Sequence, residues 1–157
     1  MRKSIYLGAL FFLMLITGVS WGTWFTLTRS IKNFSPAEFT HIGKVIIANV
    51  ALPMRILMPS GILLILLSLW LCKQKRTPGF YAGVLSLILL IATLLITLLI
   101  LVPIDNSIKE WATTLPVDFA EIRYKWKTYH AIRTFLSLAS FLCFSLFIIS
   151  NRGENRQ

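Results

Sequence analysis

Four long stretches of the chain contain hydrophobic residues with few or no charged side chains. The predicted spans cover about residues 5–27, 54–72, 79–102 and 131–150. Crossing the hydrocarbon layer takes about 20 helical residues, and an amphipathic core helix would show a polar face, which residues 85–101 lack. No segment alternates hydrophobic and polar residues with period two, so the spans are helical rather than barrel strands. The pattern predicts an all-α fold, an integral membrane four-helix transmembrane bundle.

An additional interfacial helix is predicted just before the second span. Ser35 followed by Glu38 forms a capping box, and Pro36 occupies the first helical position. At helical spacing an apolar stripe lies beside a polar stripe formed by Glu38, His41 and Asn49. We expect Pro53 and Pro59 to kink the passage into the span. The ordinary interpretation of the polar stripe is a solvated edge, and the alternative is a contribution to a site.

Composition and charge agree with a single transmembrane domain over residues 1–157. Of the residues, 56% are hydrophobic and 14% are charged, whereas a soluble domain carries about 25% charged residues. The net charge of +10 could indicate nucleic-acid binding. In so apolar a chain, basic residues flanking the spans explain it better, so the expected partner is the lipid bilayer and no nucleic acid.

The distribution of Lys and Arg predicts the orientation. Seven basic residues flank each side of the predicted bundle, but those at 73–76 are concentrated in one tight turn. The opposite segments, about 29–52 and 103–129, are longer and hold five of the six acidic residues. Because dense basic loops stay inside, we predict a multi-pass protein of the plasma (inner) membrane with both termini cytoplasmic.

The first predicted span also has features of a signal peptide. Met1, Arg2 and Lys3 precede the apolar run, and small residues come before Trp21. The run continues to residue 27, which is longer than a signal-peptide core, so we expect it to remain as a span. The small residues of segment 18–22 could form a dimer face or pack internally, and internal packing is the expectation.

One face of the helix predicted from Pro116 carries the candidate chemistry. The residues that project onto it are Phe119, Arg123, Trp126, His130, Arg133 and Ser137. A charge at Arg133, inside the hydrocarbon boundary, is costly unless it has a partner, such as Glu38, Asp105, Asp118 or a bound anion. The alternative is that Arg133 extends to lipid headgroups. We expect one polar site at the outer boundary around His130 that also takes in Asn106, Arg123, Trp126, Glu38, His41 and Asn49.

The residues on this face match the pattern of a known family. The pattern Arg123-x-x-Trp126-x-x-x-His130-x-x-Arg133-Thr134, with Asn106 after the third span, resembles the anthrone-oxygenase-like family of small four-span membrane proteins. In bacteria the family is largely described as a domain of unknown function. The four-span layout, the small-residue patch of the first span and the helix start at Ser35-Pro36 extend the resemblance. It implies oxidation of anthrones to anthraquinones without a metal or flavin, the reaction in which a few fungal relatives are implicated.

Metal chemistry has little support in the residues. Glu38 and His41 have the Glu-x-x-His spacing of di-iron bundles, but no second copy exists. His41 and His130 are the two histidines of the chain. They could hold a mononuclear metal with one carboxylate, or ligate a haem axially, and both are minor alternatives. We expect no metal and no cofactor.

Two functions from different classes therefore remain open. In the first, an enzyme acts on a hydrophobic aromatic small molecule, His130 is the general base, and Arg133 and Asn106 stabilise an oxyanion. In the second, a non-catalytic membrane protein binds a lipid or small ligand or serves as a subunit of a membrane complex, and His130 is structural. Transport is less expected because the chain shows no inverted repeat.

Overall fold

The computed structural model describes residues 2–111 and 116–153, with side chains up to residue 151. Met1 and Arg156, which enter the signal-peptide and charge arguments, lie outside them. The helices are α1 (Arg2–Thr23), α2 (Pro36–Trp70), α3 (Pro78–Ile96), α4 (Val102–Glu110) and α5 (Phe119–Gly153). Wider π-helical turns follow α1 at Trp24–Thr28 and join α3 to α4 at Thr97–Leu101, and a 3₁₀ turn covers Ile31–Asn33. No strand occurs in the described ranges, which confirms the all-α prediction.

Four helical stretches are long and apolar enough to cross a membrane. They run over Arg2–Asn33, Pro36–Trp70, Pro78–Glu110 and Phe119–Asn151. Their outer surfaces expose large hydrophobic side chains such as Leu99, which is 71% exposed. A surface of this kind suits lipid rather than water, because soluble proteins rarely show large apolar patches. The chain is an integral, multi-pass membrane protein built as a four-helix bundle.

Helix α2 begins as the sequence predicts. The Ser35 hydroxyl accepts a hydrogen bond from the Glu38 backbone amide at 3.3 Å, and the Glu38 carboxylate accepts one from the Ser35 amide at 2.8 Å. This capping box satisfies two amides at the helix start. The helix then continues through Pro53 and Pro59 to Trp70. The predicted interfacial helix and the second span are therefore one continuous helix of 35 residues.

Two buried hydrophobic clusters hold the helices together. One joins α1, α2, α3 and α5, and it is centred on Leu13, Ile16, Ile65, Leu90, Phe144 and Phe147. The other lies towards the opposite end of the bundle, and it is centred on Leu27, Phe39, Ile47, Leu101, Ile108 and Trp126. The second cluster positions the start of α5 against α2 and α4, and the candidate site lies next to it.

Small residues line the contact between α3 and α5. Gly79, Gly83 and Ser86 are buried on α3. The Ser140 hydroxyl on α5 donates a hydrogen bond to the Ser86 carbonyl at 2.8 Å, and the two hydroxyls are 3.0 Å apart. Small side chains permit this close approach, and hydrogen bonds between helices support it in a lipid environment.

The expectation that the small residues of segment 18–22 pack internally is wrong for its two glycines. Gly18 and Gly22 are exposed, and a Cβ atom added at either would meet nothing within 4 Å. The face of α1 that turns into the bundle carries Ile16, Thr17 and Ser20 instead. The hydrophobic run is apolar on all sides, so its pattern does not reveal which face is buried.

Candidate functional site

A cavity of about 230 Å³ lies among α2, the end of α3, α4 and α5. Most of its wall is apolar and includes Ile46, Val50, Met54, Met58, Leu94 and Leu98. Its polar lining residues include Arg55, Asp105, Asn106, Lys109, His130 and Arg133. An apolar wall with a few convergent polar groups is the usual form of a small-molecule site.

The cavity has an exposed rim and a buried end. Arg55 on α2 and Asn106 and Lys109 on α4 are exposed, whereas His130 and Arg133 on α5 are 6% and 7% exposed. The π-helical turn Thr97–Leu101 contributes Thr97 and Leu98 to the wall. Turns of this kind occur often at functional sites. A ligand that enters at the rim would reach the two basic side chains of α5 last.

Trp126 organises the buried end. Its indole Nε1 donates a hydrogen bond to Asp105 Oδ1 on α4 at 3.0 Å. Its ring lies against the His130 imidazole with centroids 3.9 Å apart, and it forms a T-shaped pair with the Phe39 ring, with centroids 5.8 Å apart. Contacts from α2, α4 and its own helix thus fix the indole, and the indole in turn fixes the imidazole.

His130 is buried beside the cavity with an unused nitrogen. Its Nε2 atom has no hydrogen-bond partner in the part of the chain that the structure describes. Thr134 holds this turn of α5, because its hydroxyl lies 2.7 Å from the His130 carbonyl and 3.2 Å from the Ser20 carbonyl of α1. A buried imidazole without a partner is available to exchange a proton with a ligand.

Arg133 is also buried. Of the partners expected for it, no acidic side chain among the described residues lies within ion-pair distance, and a bound anion stays a prediction. The Arg133 Nε atom has no hydrogen-bond partner, and the ion pair found among these residues joins Lys125 to Glu121 instead. Asp105 lines the same cavity and attracts the guanidinium through space, but it lies beyond ion-pair distance and its carboxylate accepts from Trp126. Extension of Arg133 to lipid headgroups is also wrong, since the side chain is 7% exposed.

The structure brings together four of the predicted site residues. Asn106, Trp126, His130 and Arg133 all line the cavity. Asn106 lies at the rim, where its side-chain oxygen accepts a hydrogen bond from Lys109 Nζ at 3.2 Å. The helical projection of α5 therefore places Trp126, His130 and Arg133 correctly on one inward face.

Arg123, predicted for the same site, lies outside the cavity. Its Nη1 donates a hydrogen bond to the Phe34 carbonyl at 3.2 Å, and its guanidinium lies 5.3 Å from the centre of the Phe119 ring. These contacts connect the start of α5 to the segment before α2. Arg123 therefore has a structural role in the described fold.

The polar stripe of α2 also lies outside the cavity. Glu38, His41 and Asn49 are exposed, and Glu38 is engaged in the helix cap. The buried face of this part of α2 carries Phe39 and Ile47, so the stripe points away from the bundle. His41 and His130 thus do not share a cavity, and no group of three metal-ligating side chains occurs within the described ranges.

Asp105 is the site residue whose role the sequence pattern did not identify. The pattern presents it as a candidate partner for Arg133, whereas the structure assigns it to the Trp126 indole. Arg55 and Lys109 are further lining residues that the sequence did not single out. Asp105 directly precedes Asn106 at the end of the third span, so its position in the sequence could have identified it as a site residue.

Comparison with known proteins identifies the family. Searches of curated proteins and of solved structures found no match. A family model described as Anthrone oxygenase matches residues 49–143, which is more than half of the 157-residue chain. The matched region contains Asp105, Asn106, Trp126, His130 and Arg133, and it excludes Glu38 and His41. The chain belongs to the anthrone oxygenase family.

Proposed function

We propose that this protein is an enzyme that oxidises a hydrophobic aromatic substrate of the anthrone type at the outer boundary of the membrane, with His130 as general base. One observation carries the proposal. At the closed end of an apolar cavity, a buried imidazole with an unpartnered nitrogen lies near a buried guanidinium. Membership of the anthrone oxygenase family supports the same chemistry.

The first step is removal of a proton. An anthrone has a methylene group across the ring from a carbonyl, and the carbanion formed there delocalises its charge onto the carbonyl oxygen. The His130 imidazole accepts the proton. In this proposal Arg133, at the buried end, and Asn106, nearer the rim, stabilise the oxyanion, and groups that meet a developing charge typically supply a few kcal/mol.

Dioxygen completes the reaction. The carbanion carbon gives its electrons to O₂ and bonds to one oxygen atom, and the peroxide takes a proton from the imidazolium. The hydroperoxide then loses water, using the second hydrogen of the former methylene, and leaves a carbonyl. The sum is anthrone plus O₂ giving anthraquinone plus water. Transfer of the proton from the imidazolium to the peroxide returns His130 to its neutral starting state. The apolar wall keeps bulk water from the carbanion.

The test uses the full-length protein in nanodiscs of zwitterionic lipid with 1,8-dihydroxyanthrone as probe. Quinone absorbance and O₂ uptake are recorded against empty nanodiscs, because anthrones also oxidise spontaneously. We expect His130→Gln to lower the protein-dependent rate by about 100-fold or more, which is the usual contribution of a general base. His41→Gln is the matched control and should retain full activity, because His41 is exposed outside the cavity.

Thermal unfolding of both variants shows whether the fold is retained. A wild-type rate equal to that of empty nanodiscs would refute the enzyme proposal for this probe, and a fully active His130→Gln variant would refute the role of the imidazole.

A second function is favoured by the open, basic rim. Arg55 and Lys109 are exposed at the mouth of the cavity, as expected for a protein that holds a lipid or small ligand without converting it. The same nanodiscs distinguish the two functions. Saturable binding of the anthrone with no protein-dependent O₂ uptake would favour a binding protein.

A further inference from the structure

We infer that the ligand of this cavity is an amphiphilic acid, with an apolar body against the α2–α3 wall and an ionised oxygen group paired with Arg133. The inference shares the cavity of the proposed function and adds the chemical class of the ligand. It rests on the charges that line the cavity and on the buried Arg133 guanidinium, whose Nε has no hydrogen-bond partner among the described residues.

The cavity lining has an excess of positive charge. Arg55, Lys109 and Arg133 line it together with one acidic residue, Asp105, so three positive charges meet one negative charge. Asp105 already accepts a hydrogen bond from Trp126. The lining therefore has a net charge of +2, and the binding of an anion would reduce it.

Among the basic residues that line the cavity, Arg133 would be stabilised most by a bound anion. The side chain is 7% exposed, its Nε is unpartnered and buried, and no carboxylate among the described residues lies within the 4.0 Å of an ion pair. Burial of an unpaired charge is strongly unfavourable. A guanidinium offers a fork of donors that matches a carboxylate or phosphate through two parallel hydrogen bonds.

The apolar wall determines the rest of the ligand. Side chains such as Val50, Met54, Met58 and Leu94 extend between the rim and α5, and a small inorganic anion would leave them uncovered. A hydrocarbon or aromatic body would cover them while its acidic group reaches Arg133. Two sources of this chemistry exist: a hydrophobic carboxylate dissolved in the membrane, and an anionic lipid with its phosphate in the site.

The experiment compares a charged probe with a neutral one of the same shape. Anthracene-9-carboxylate and 9-anthracenemethanol are titrated into the full-length protein in zwitterionic nanodiscs, and partition into empty nanodiscs is subtracted. We expect the carboxylate to bind at least about tenfold more tightly than the alcohol, since hydrogen bonds to charged groups are stronger than those between neutral groups. Equal affinity for the two probes would overturn the inference.

Variants assign the effect to Arg133. Arg133→Gln should weaken carboxylate binding by about 10- to 100-fold and alcohol binding by less than about threefold. Arg133→Lys keeps the charge without the fork, so we expect an intermediate loss, and it remains informative if Arg133→Gln does not fold. Arg123→Gln is the matched control and should leave both affinities unchanged. Equal losses in Arg133→Gln and Arg123→Gln would overturn the assignment.

Lipid composition distinguishes the two sources. Phosphatidylglycerol is added to the nanodiscs, and its competition with the carboxylate probe is measured for the wild-type protein and for Arg133→Gln. Competition in the wild-type protein but not in Arg133→Gln would identify the phosphate of an anionic lipid as the natural occupant. Carboxylate binding that is unaffected by this lipid supports a membrane-dissolved acid.

The enzyme proposal and the inference that the ligand is an acid can fail independently of each other. His130-dependent turnover of neutral 1,8-dihydroxyanthrone, with no preference for the carboxylate probe, would leave the enzyme proposal intact and refute the acid. A preference for the carboxylate probe without any turnover would refute the enzyme proposal and leave the acidic ligand intact.

Discussion

Gly83 on α3 faces Leu69 of α2 and Phe147 of α5, and the contact leaves no room for one added carbon atom. A Cβ built at Gly83 would lie 2.7 Å from Leu69 Cδ2 and 2.9 Å from Phe147 Cδ2. Favourable contacts between carbon atoms are about 3.5–4.0 Å long. Gly83→Ala therefore requires a shift of close to 1 Å, and the two neighbours differ in their ability to move.

The magnitude follows from those neighbours. The Leu69 methyl group is at the end of a flexible side chain, but Phe147 is fully buried between Tyr6 and Phe144, with ring centroids 5.3 and 5.4 Å away. The helices must separate instead, and overpacking of this kind costs about 1–3 kcal/mol. Alanine recovers up to about 1 kcal/mol of helix propensity. We expect a net loss of about 1–2 kcal/mol in the free energy of unfolding.

Gly18→Ala is the matched control. An added Cβ there meets nothing within 4 Å, so the same substitution should be neutral or stabilise the protein by up to about 1 kcal/mol. Unfolding of wild type and both variants is followed by circular dichroism in mixed micelles as the fraction of SDS increases. If Gly83→Ala is as stable as Gly18→Ala, the close contact among α2, α3 and α5 is not present in the protein.

Three further predictions concern orientation, the site and helix contacts. Single cysteines at Asn33 and Ser107, in a background without the two native cysteines, should react with a membrane-impermeant maleimide in intact cells, because both segments are predicted to face outward. Reaction only after permeabilisation would reverse the orientation. Trp126→Phe leaves the Asp105 carboxylate without its 3.0 Å indole donor, so we expect a loss of about 1–3 kcal/mol in thermal or SDS unfolding. Unchanged stability would remove this hydrogen bond from the site. Ser140→Ala removes the 2.8 Å hydrogen bond to α3 and should cost about 0.6–1.7 kcal/mol in the same assay. A loss well above this range would indicate that helix contacts other than this bond have changed.

Local features account for what could be predicted along the chain. The capping box at Ser35 depends on residues three positions apart, so its two hydrogen bonds follow from the sequence. The inward face of α5 follows from helical periodicity, which places Trp126, His130 and Arg133 on one side. The same reasoning predicted a polar stripe on α2, but periodicity shows only that His41 lies on the same face as its polar neighbours and does not show where that face points.

The sequence by itself determined the class of the protein: a polytopic helical membrane protein, with the basic and aromatic residues of its fourth span on one face. These properties depend on hydrophobic length and helix geometry, which are local. The tertiary structure decided which polar groups meet. It turned the stripe of α2 outward, left Gly18 exposed, connected Asp105 to Trp126, and buried Arg133 with no carboxylate of the described residues within ion-pair distance. Each of these outcomes depends on how one helix is rotated against another, and in a chain that is apolar on nearly every side only the fit between helices sets that rotation.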